Sequence, residues 1–295
     1  MADPVVLPYV PSTSIFKNDI FKGKVAFVTG GGSGICQTMT LNLMQHGCSA
    51  AIVGRKADRL QASADWLQKQ AGNGTKCIAT PADVRTPTDL NEAVRKTVEA
   101  FGRIDFVICG AAGNFLAPMD GLSENAFRTV IEIDLLGTYN TFKATIDELK
   151  KSHGAYIHIS ATLHYNGLPW QAAASAAKAG IDALNQSIAV EYGPFGVRSN
   201  VIAPGLIADT EGADRLTPKG AEDFMSMRIP LQRSGQKGDI GNMAIFLFSD
   251  AASYISGSRF IVDGANWHNG GFWLPYPDSQ LDPKSIKDLI SGSKL

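Results

Sequence analysis

The stretch that decides the fold is Val25-Ala26-Phe27-Val28-Thr29-Gly30-Gly31-Gly32-Ser33-Gly34-Ile35-Cys36. A short apolar run that leads directly into a glycine-rich turn, followed by helical spacing, is the start of a β-turn-α unit. Glycines let the backbone approach a pyrophosphate, and the helix N-terminus offers free N–H groups and a partial positive charge to it. Gly30, Gly32, Ser33, Gly34 and Ile35 are therefore candidate dinucleotide ligands.

The same alternation continues outward from that turn. Apolar runs suited to buried parallel strands fall at 25–29, 50–53, 76–80, 106–109, 156–160, 199–203 and 259–262. Helical patterns lie between them near 34–46, 56–70, 87–101, 123–151, 169–193 and 236–249. The expectation is a Rossmann-type doubly wound α/β fold, a parallel sheet of about seven strands with helices on both faces. Residues 1–20 read as an arm, 21–271 as one nucleotide-binding domain and 272–295 as a tail. The stretch 206–235 has no regular period and is expected to form a substrate lid.

Composition narrows the function. A net charge of −1 gives no global attraction to nucleic acid or to an anionic membrane. No apolar run reaches the ~18 residues needed to span a bilayer. Met1-Ala2-Asp3-Pro4 does not open a secretory signal. Cys36, Cys48, Cys77 and Cys109 have no metal-ligand spacing and are expected to be reduced core thiols. His46, His153, His158 and His268 form no ligand cluster, so no metal is expected. The final Ser293-Lys294-Leu295 matches a peroxisomal address read by an import receptor, which predicts that receptor as a partner and the peroxisome matrix as the location.

Further ligand positions follow the strand ends, where open α/β sheets bind. An acid normally holds the ribose 2′-hydroxyl of NAD after the second strand, but this chain has Arg55, Lys56 and Arg59. Three cations suit a 2′-phosphate and predict NADPH/NADP as the cofactor. Asp83 and Val84 are placed to meet the adenine, and Gly110, Ala111 and Ala112 its ribose. Pro204, Gly205 and Ile207 are placed to meet the carboxamide, and Thr210 the phosphates.

With Gly110-Ala111-Ala112-Gly113-Asn114-Phe115-Leu116, Ile133-Asp134, Gly137-Thr138, Ala161-Thr162-Leu163 and Thr210-Glu211-Gly212, residues 22–270 resemble the short-chain dehydrogenase/reductase family. Within that family the likeness is to the peroxisomal 2,4-dienoyl-CoA reductases. The family's catalytic lysine maps to Lys178, but its tyrosine maps to Ala174 and its serine to Ala161. The usual helix asparagine maps to Asp134, and the displaced tyrosine of the mitochondrial dienoyl reductases to Leu163. The third glycine of the turn is Cys36.

The resemblance implies that Asp134 and Lys178 are catalytic, acting through a bound water, and that Lys178 also holds the nicotinamide ribose. It implies a fatty acyl-CoA substrate met by Asn114, Phe115, Leu116 and Arg215. It further implies a homo-oligomer built on the helices near 123–151 and 169–193. His164 and Tyr165 remain rival proton donors. Two other functions stay open on sequence alone: a carbonyl or 3-hydroxyacyl-CoA dehydrogenase, disfavoured by Ala161 and Ala174, and a catalytically inactive NADP-binding scaffold.

Overall fold

The computed structural model describes residues 6–216, 222–269 and 276–282. Seven parallel strands form one sheet in the order β3-β2-β1-β4-β5-β6-β7. They are β1 (Val25–Thr29), β2 (Ser49–Gly54), β3 (Cys77–Pro81), β4 (Phe106–Cys109), β5 (Ala155–Ile159), β6 (Arg198–Pro204) and β7 (Arg259–Val262). The order reverses between β1 and β4, which opens a crevice at their C-terminal ends, the binding position of doubly wound sheets. Val28 stands opposite both Ile52 and Ile108, so the glycine turn rises from the middle of the sheet.

Both faces of the sheet are covered. Alternate residues of β1 face opposite ways: Ala26 and Val28 join Met39, Leu43, Leu67 and Ile245 on one side, while Phe27 joins Leu90, Phe142, Leu149 and Tyr156 on the other. Continuous apolar runs are what a strand buried on two faces requires. The first layer contains α1 (Gly34–Gln45), α2 (Ala57–Ala71) and a helix at Lys237–Phe248; the second contains α3 (Pro87–Phe101) and helices at Gly137–Ser152 and Ala172–Tyr192.

Three segments depart from the sequence reading. The single helix expected at 123–151 is α4 (Glu124–Val130), a π turn at Ile131–Leu136, then α5 (Gly137–Ser152). An inserted π turn keeps the apolar spacing almost unbroken, so periodicity does not reveal it. The helix expected near 169–193 forms as α7 (Ala172–Tyr192), and a one-turn α6 (Leu163–Asn166) that the sequence did not announce precedes it. They are separated by Gly167 and Trp170, both at positive φ. The stretch 206–235 is not wholly irregular: it holds α8 (Glu211–Leu216) and α9 (Glu222–Met227), each too short to show a period. α10 (Lys237–Phe248) follows, with a capping box formed by Gln236 and Asp239.

The segment from residue 6 lies along α1 and α10. Arg233 Nε donates to Leu7 O at 2.8 Å, Asn242 Nδ2 to Val10 O at 2.8 Å, and buried Ser12 meets His46 Nε2 at 3.1 Å. Ser293, Lys294 and Leu295 lie outside the described residues.

Candidate active site

The glycine turn is shaped by contact with its neighbours. Gly30 has φ +72°, and a Cβ there would meet Gly110 O at 2.7 Å. One at Gly31 would meet Ile52 Cγ2 at 2.6 Å. Only glycine lets β1, β2 and β4 approach so closely here. Gly34 is also left-handed at φ +59°, and Ser33 stands just before α1 with its side chain not engaged as a cap. Cys36 replaces a glycine, and the compensation lies across the turn. A Cβ on Gly110 would collide with Cys36 Sγ, so the absence of a side chain there makes room for the sulfur. Burial pushes the Cys36 thiol up to about 12, so it serves as packing.

Ten of the predicted cofactor residues share one cleft of about 290 Å³: Gly30, Gly32, Ser33, Arg55, Lys56, Arg59, Asp83, Val84, Ala111 and Ala112. Val53, Gly54, Leu60, Ala82, Ile133 and Glu211 complete its wall. Arg55 and Lys56 are exposed at its mouth. Arg59 Nη2 instead bonds Glu211 Oε1 at 2.6 Å, a link from α2 to α8 that the sequence reading missed. Asp83 also has a partner it missed: its carboxylate accepts from Arg85 Nε and Nη2, and those bonds hold it below the usual aspartate range.

The other predicted cofactor residues do not line this cleft. Gly34, Ile35 and Gly110 lie behind or beside the turn, with Ile35 packed on the core. Pro204 ends β6, and Gly205 N donates to Val262 O at 3.0 Å. Ile207 is buried and bridges to Gly235. Thr210 Oγ1 accepts from Ala213 N at 3.0 Å and donates to Ile207 O at 2.9 Å, so here it caps α8.

Deeper in, Lys178 Nζ lies 3.0 Å from Asp134 Oδ2, both side chains buried. The π turn brings Asp134 to this place, and α7 brings Lys178. Each makes a second anchor: Asp134 Oδ1 accepts from Gly113 N at 2.7 Å, and Lys178 Nζ donates to Ile159 O at 3.0 Å. An ion pair so enclosed holds its geometry through these extra bonds. Ala174, where the family keeps its phenol, is a buried alanine one turn before Lys178. Ser160 Oγ points at Lys178 O at 3.4 Å, away from any carbonyl-polarising role.

An adjoining cavity of about 540 Å³ is lined by Ala112, Gly113, Asn114, Phe115, Leu116, Glu211 and Gly212. Phe115 and Leu116 are exposed there and give the cavity an apolar wall. Arg215 belongs to α8, and its side chain lies outside the described atoms. His164 and Tyr165 are turned to another partner. His164 Nε2 lies 2.9 Å and Tyr165 Oη 3.3 Å from buried Asp182 Oδ2, and burial first, then Asp182, pushes Tyr165 up to about 12. No metal-binding group of three or more ligands occurs among the described residues, and no helix among them is long and apolar enough to cross a membrane.

A family profile described as Enoyl-(Acyl carrier protein) reductase matches residues 30–265. The peroxisomal 2,4-dienoyl-CoA reductase [(3E)-enoyl-CoA-producing] of Saccharomyces cerevisiae is 50% identical over 275 residues, covering 92% of this chain and 94% of that protein. The protein of that name in Danio rerio is 44% identical, covering 86% and 85%. Among solved structures, a short-chain type dehydrogenase/reductase from Mycobacterium ulcerans superposes with TM-score 0.80 at 32% identity, covering 92% and 99%. The chain belongs to the short-chain dehydrogenase/reductase family, in the branch of the 2,4-dienoyl-CoA reductases. The family binds a nicotinamide cofactor, and the glycine cradle, which a Cβ at Gly30 or Gly31 would fill, fits such a group.

Proposed function

We propose that this protein is an NADPH-dependent 2,4-dienoyl-CoA reductase that forms trans-3-enoyl-CoA in the peroxisome matrix, an auxiliary step in β-oxidation of unsaturated fatty acids. The observation that carries this reading is the buried Asp134–Lys178 pair beside a helix whose phenol position is Ala174. The relatives named above supply the substrate class.

Bound reduced nicotinamide supplies a hydride. The turn from Gly30 to Ile35 and the N-terminus of α1 hold the pyrophosphate. Arg55, Lys56 and Arg59 take the 2′-phosphate, Asp83 and Val84 the adenine, and Gly110, Ala111 and Ala112 its ribose. Lys178 holds the nicotinamide ribose, and Pro204, Gly205, Ile207 and Thr210 border the nicotinamide end.

A conjugated dienoyl thioester accepts electrons at its δ carbon, and the charge spreads to the thioester oxygen. Protonation at the α carbon then leaves a 3-enoyl thioester. No alkoxide forms, so no phenol is needed, whereas a ketone reductase would need one. Asp134 and Lys178 hold the proton that reaches the α carbon. Asn114, Phe115 and Leu116 line the acyl slot, and Arg215 attracts CoA phosphate. His164 and Tyr165 stand with Asp182 and take no part.

The protein assembles as a homo-oligomer, a reading supported by exposed Phe127, Leu136 and Tyr139 along α4 to α5. Ser293, Lys294 and Leu295 bind the import receptor. The test is NADPH oxidation with a 2,4-dienoyl-CoA beside a 3-ketoacyl-CoA. Turnover of the dienoyl thioester alone is expected; turnover of the ketone alone, or of neither, overturns the reading. NADH giving comparable rates would overturn the cofactor assignment.

A further inference from the structure

The chemistry just described requires a hydrogen-bond donor at the thioester oxygen, where negative charge gathers. The two hydroxyls that the family places near a substrate oxygen are alanines here, Ala161 and Ala174. The donor must come from elsewhere in the same wall.

Gln171 stands immediately before α7 and is 7% exposed. It lies three residues before Ala174 and seven before Lys178, and all three are buried, so they form one stripe toward the site. Its Oε1 accepts from Asn114 Nδ2 at 2.8 Å. Asn114 follows Gly113, whose N–H is held by Asp134, and it lines the acyl cavity. One continuous chain of contacts thus runs from Lys178 through Asp134, Gly113 and Asn114 to Gln171. With Oε1 committed to Asn114, the amide nitrogen of Gln171 keeps both N–H groups without a partner among the described residues. That nitrogen is also absent from the sealed, unpartnered atoms of the interior, which include Asn114 Oδ1. A nearly buried amide held by its oxygen and free at its nitrogen is built to donate.

We infer that Gln171, positioned by Asn114, donates its side-chain N–H to the thioester oxygen of the substrate and stabilises the dienolate, in the place of the missing serine and tyrosine. The inference rests on the dienoyl-CoA reading above and names the residue that reading leaves unassigned. Asn114 is a positioning residue: its amide fixes which way Gln171 faces.

Gln171→Glu tests this most sharply. The carboxylate keeps the size of the side chain and still accepts from Asn114, but it offers no donor and adds charge where charge develops. Removal of one such donor costs ~10²–10³-fold in kcat, and that loss is expected with NADPH affinity unchanged. The ratio of variant to wild-type rate should climb as pH falls, because a protonated carboxyl donates again. Asp134, Lys178 and Glu211, the other charged groups facing this wall, are present in both enzymes, so the ratio reads the substituted side chain. Gln171→Leu should lose a similar factor with no such recovery. Asn114→Ala should lower kcat less than either. If wild-type enzyme reduces the dienoyl thioester and Gln171→Glu matches it at every pH, this inference fails while the function stands; an amide pair oriented the opposite way gives that result. If wild-type enzyme leaves the dienoyl thioester untouched yet binds NADPH, the functional reading itself fails.

Discussion

Two regions of the candidate site are built on opposite principles. Along the cleft beside the glycine turn, Arg55, Lys56 and Arg59 stand in the open, and Arg59 pairs with Glu211 of α8. Behind it, Asp134 and Lys178 are buried and locked by Gly113 and Ile159. Exposed cations cost little to hold and can be redirected to an incoming phosphate. A buried carboxylate–ammonium pair costs several kcal/mol of desolvation and persists only with added bonds. The proposed roles match this contrast: recognition for the exposed cations, a fixed proton position for the buried pair.

The contrast predicts unequal responses to mutation. Lys178→Met should have the largest effect. It removes the cation from the pair, with a loss of ~10²–10⁴ in turnover. It also leaves Asp134 an unpaired buried charge, a destabilisation of about 3–5 kcal/mol; denaturant unfolding and steady-state kinetics check both. Among the exposed cations, Arg55→Ala should weaken NADPH about 10- to 100-fold, the worth of charge-assisted bonds to a phosphate. NADH affinity should stay constant in the same titration, and equal losses for both cofactors would erase the recognition role.

A buried polar group outside the site shows what burial alone does. His158 on β5 is fully enclosed, bonded at Nε2 to Ser199 Oγ at 3.0 Å, and pushed down to about 3 by desolvation. Its folded value is below its unfolded one, so the unfolded chain binds more protons between about pH 3 and 6.5, and stability falls as pH drops through that window. About 2 kcal/mol of the loss between pH 7 and 5 should come from His158, and His158→Asn should remove that part of the slope. Identical slopes would place the cause elsewhere. Smallest of all, Glu211→Gln should change NADPH affinity by less than about fivefold, since Arg59 and Glu211 are both about half exposed.

The parts legible in the sequence are those set by local chemistry. The glycine turn announced itself because residues at positive φ and in close contact with neighbouring strands must be glycine, and the strands fell within one or two residues of their expected bounds because continuous apolar runs are what this sheet needs. What stayed hidden depends on tertiary distance. Gly110 makes room for Cys36 from another strand, and Arg59 meets Glu211 across 152 residues. The π turn under Asp134 inserts a residue without disturbing the apolar stripe. Thr210 was legible in principle: a threonine three residues before Ala213 is a helix cap by its spacing, and that bond occupies the hydroxyl here. Gln171 gave the weakest signal, a single amide before an alanine run. Its interest comes only from what Ala161 and Ala174 lack.

The central claim is that a buried carboxylate–ammonium pair replaces a phenol as the proton source. Asp134→Asn tests it directly, because the amide can still accept from Gly113 and should preserve the fold. With a 2,4-dienoyl-CoA and NADPH, its kcat should fall at least ~10²-fold while the Kd for NADPH stays within twofold (an ~0.4 kcal/mol margin). Turnover near the wild-type rate would contradict the account.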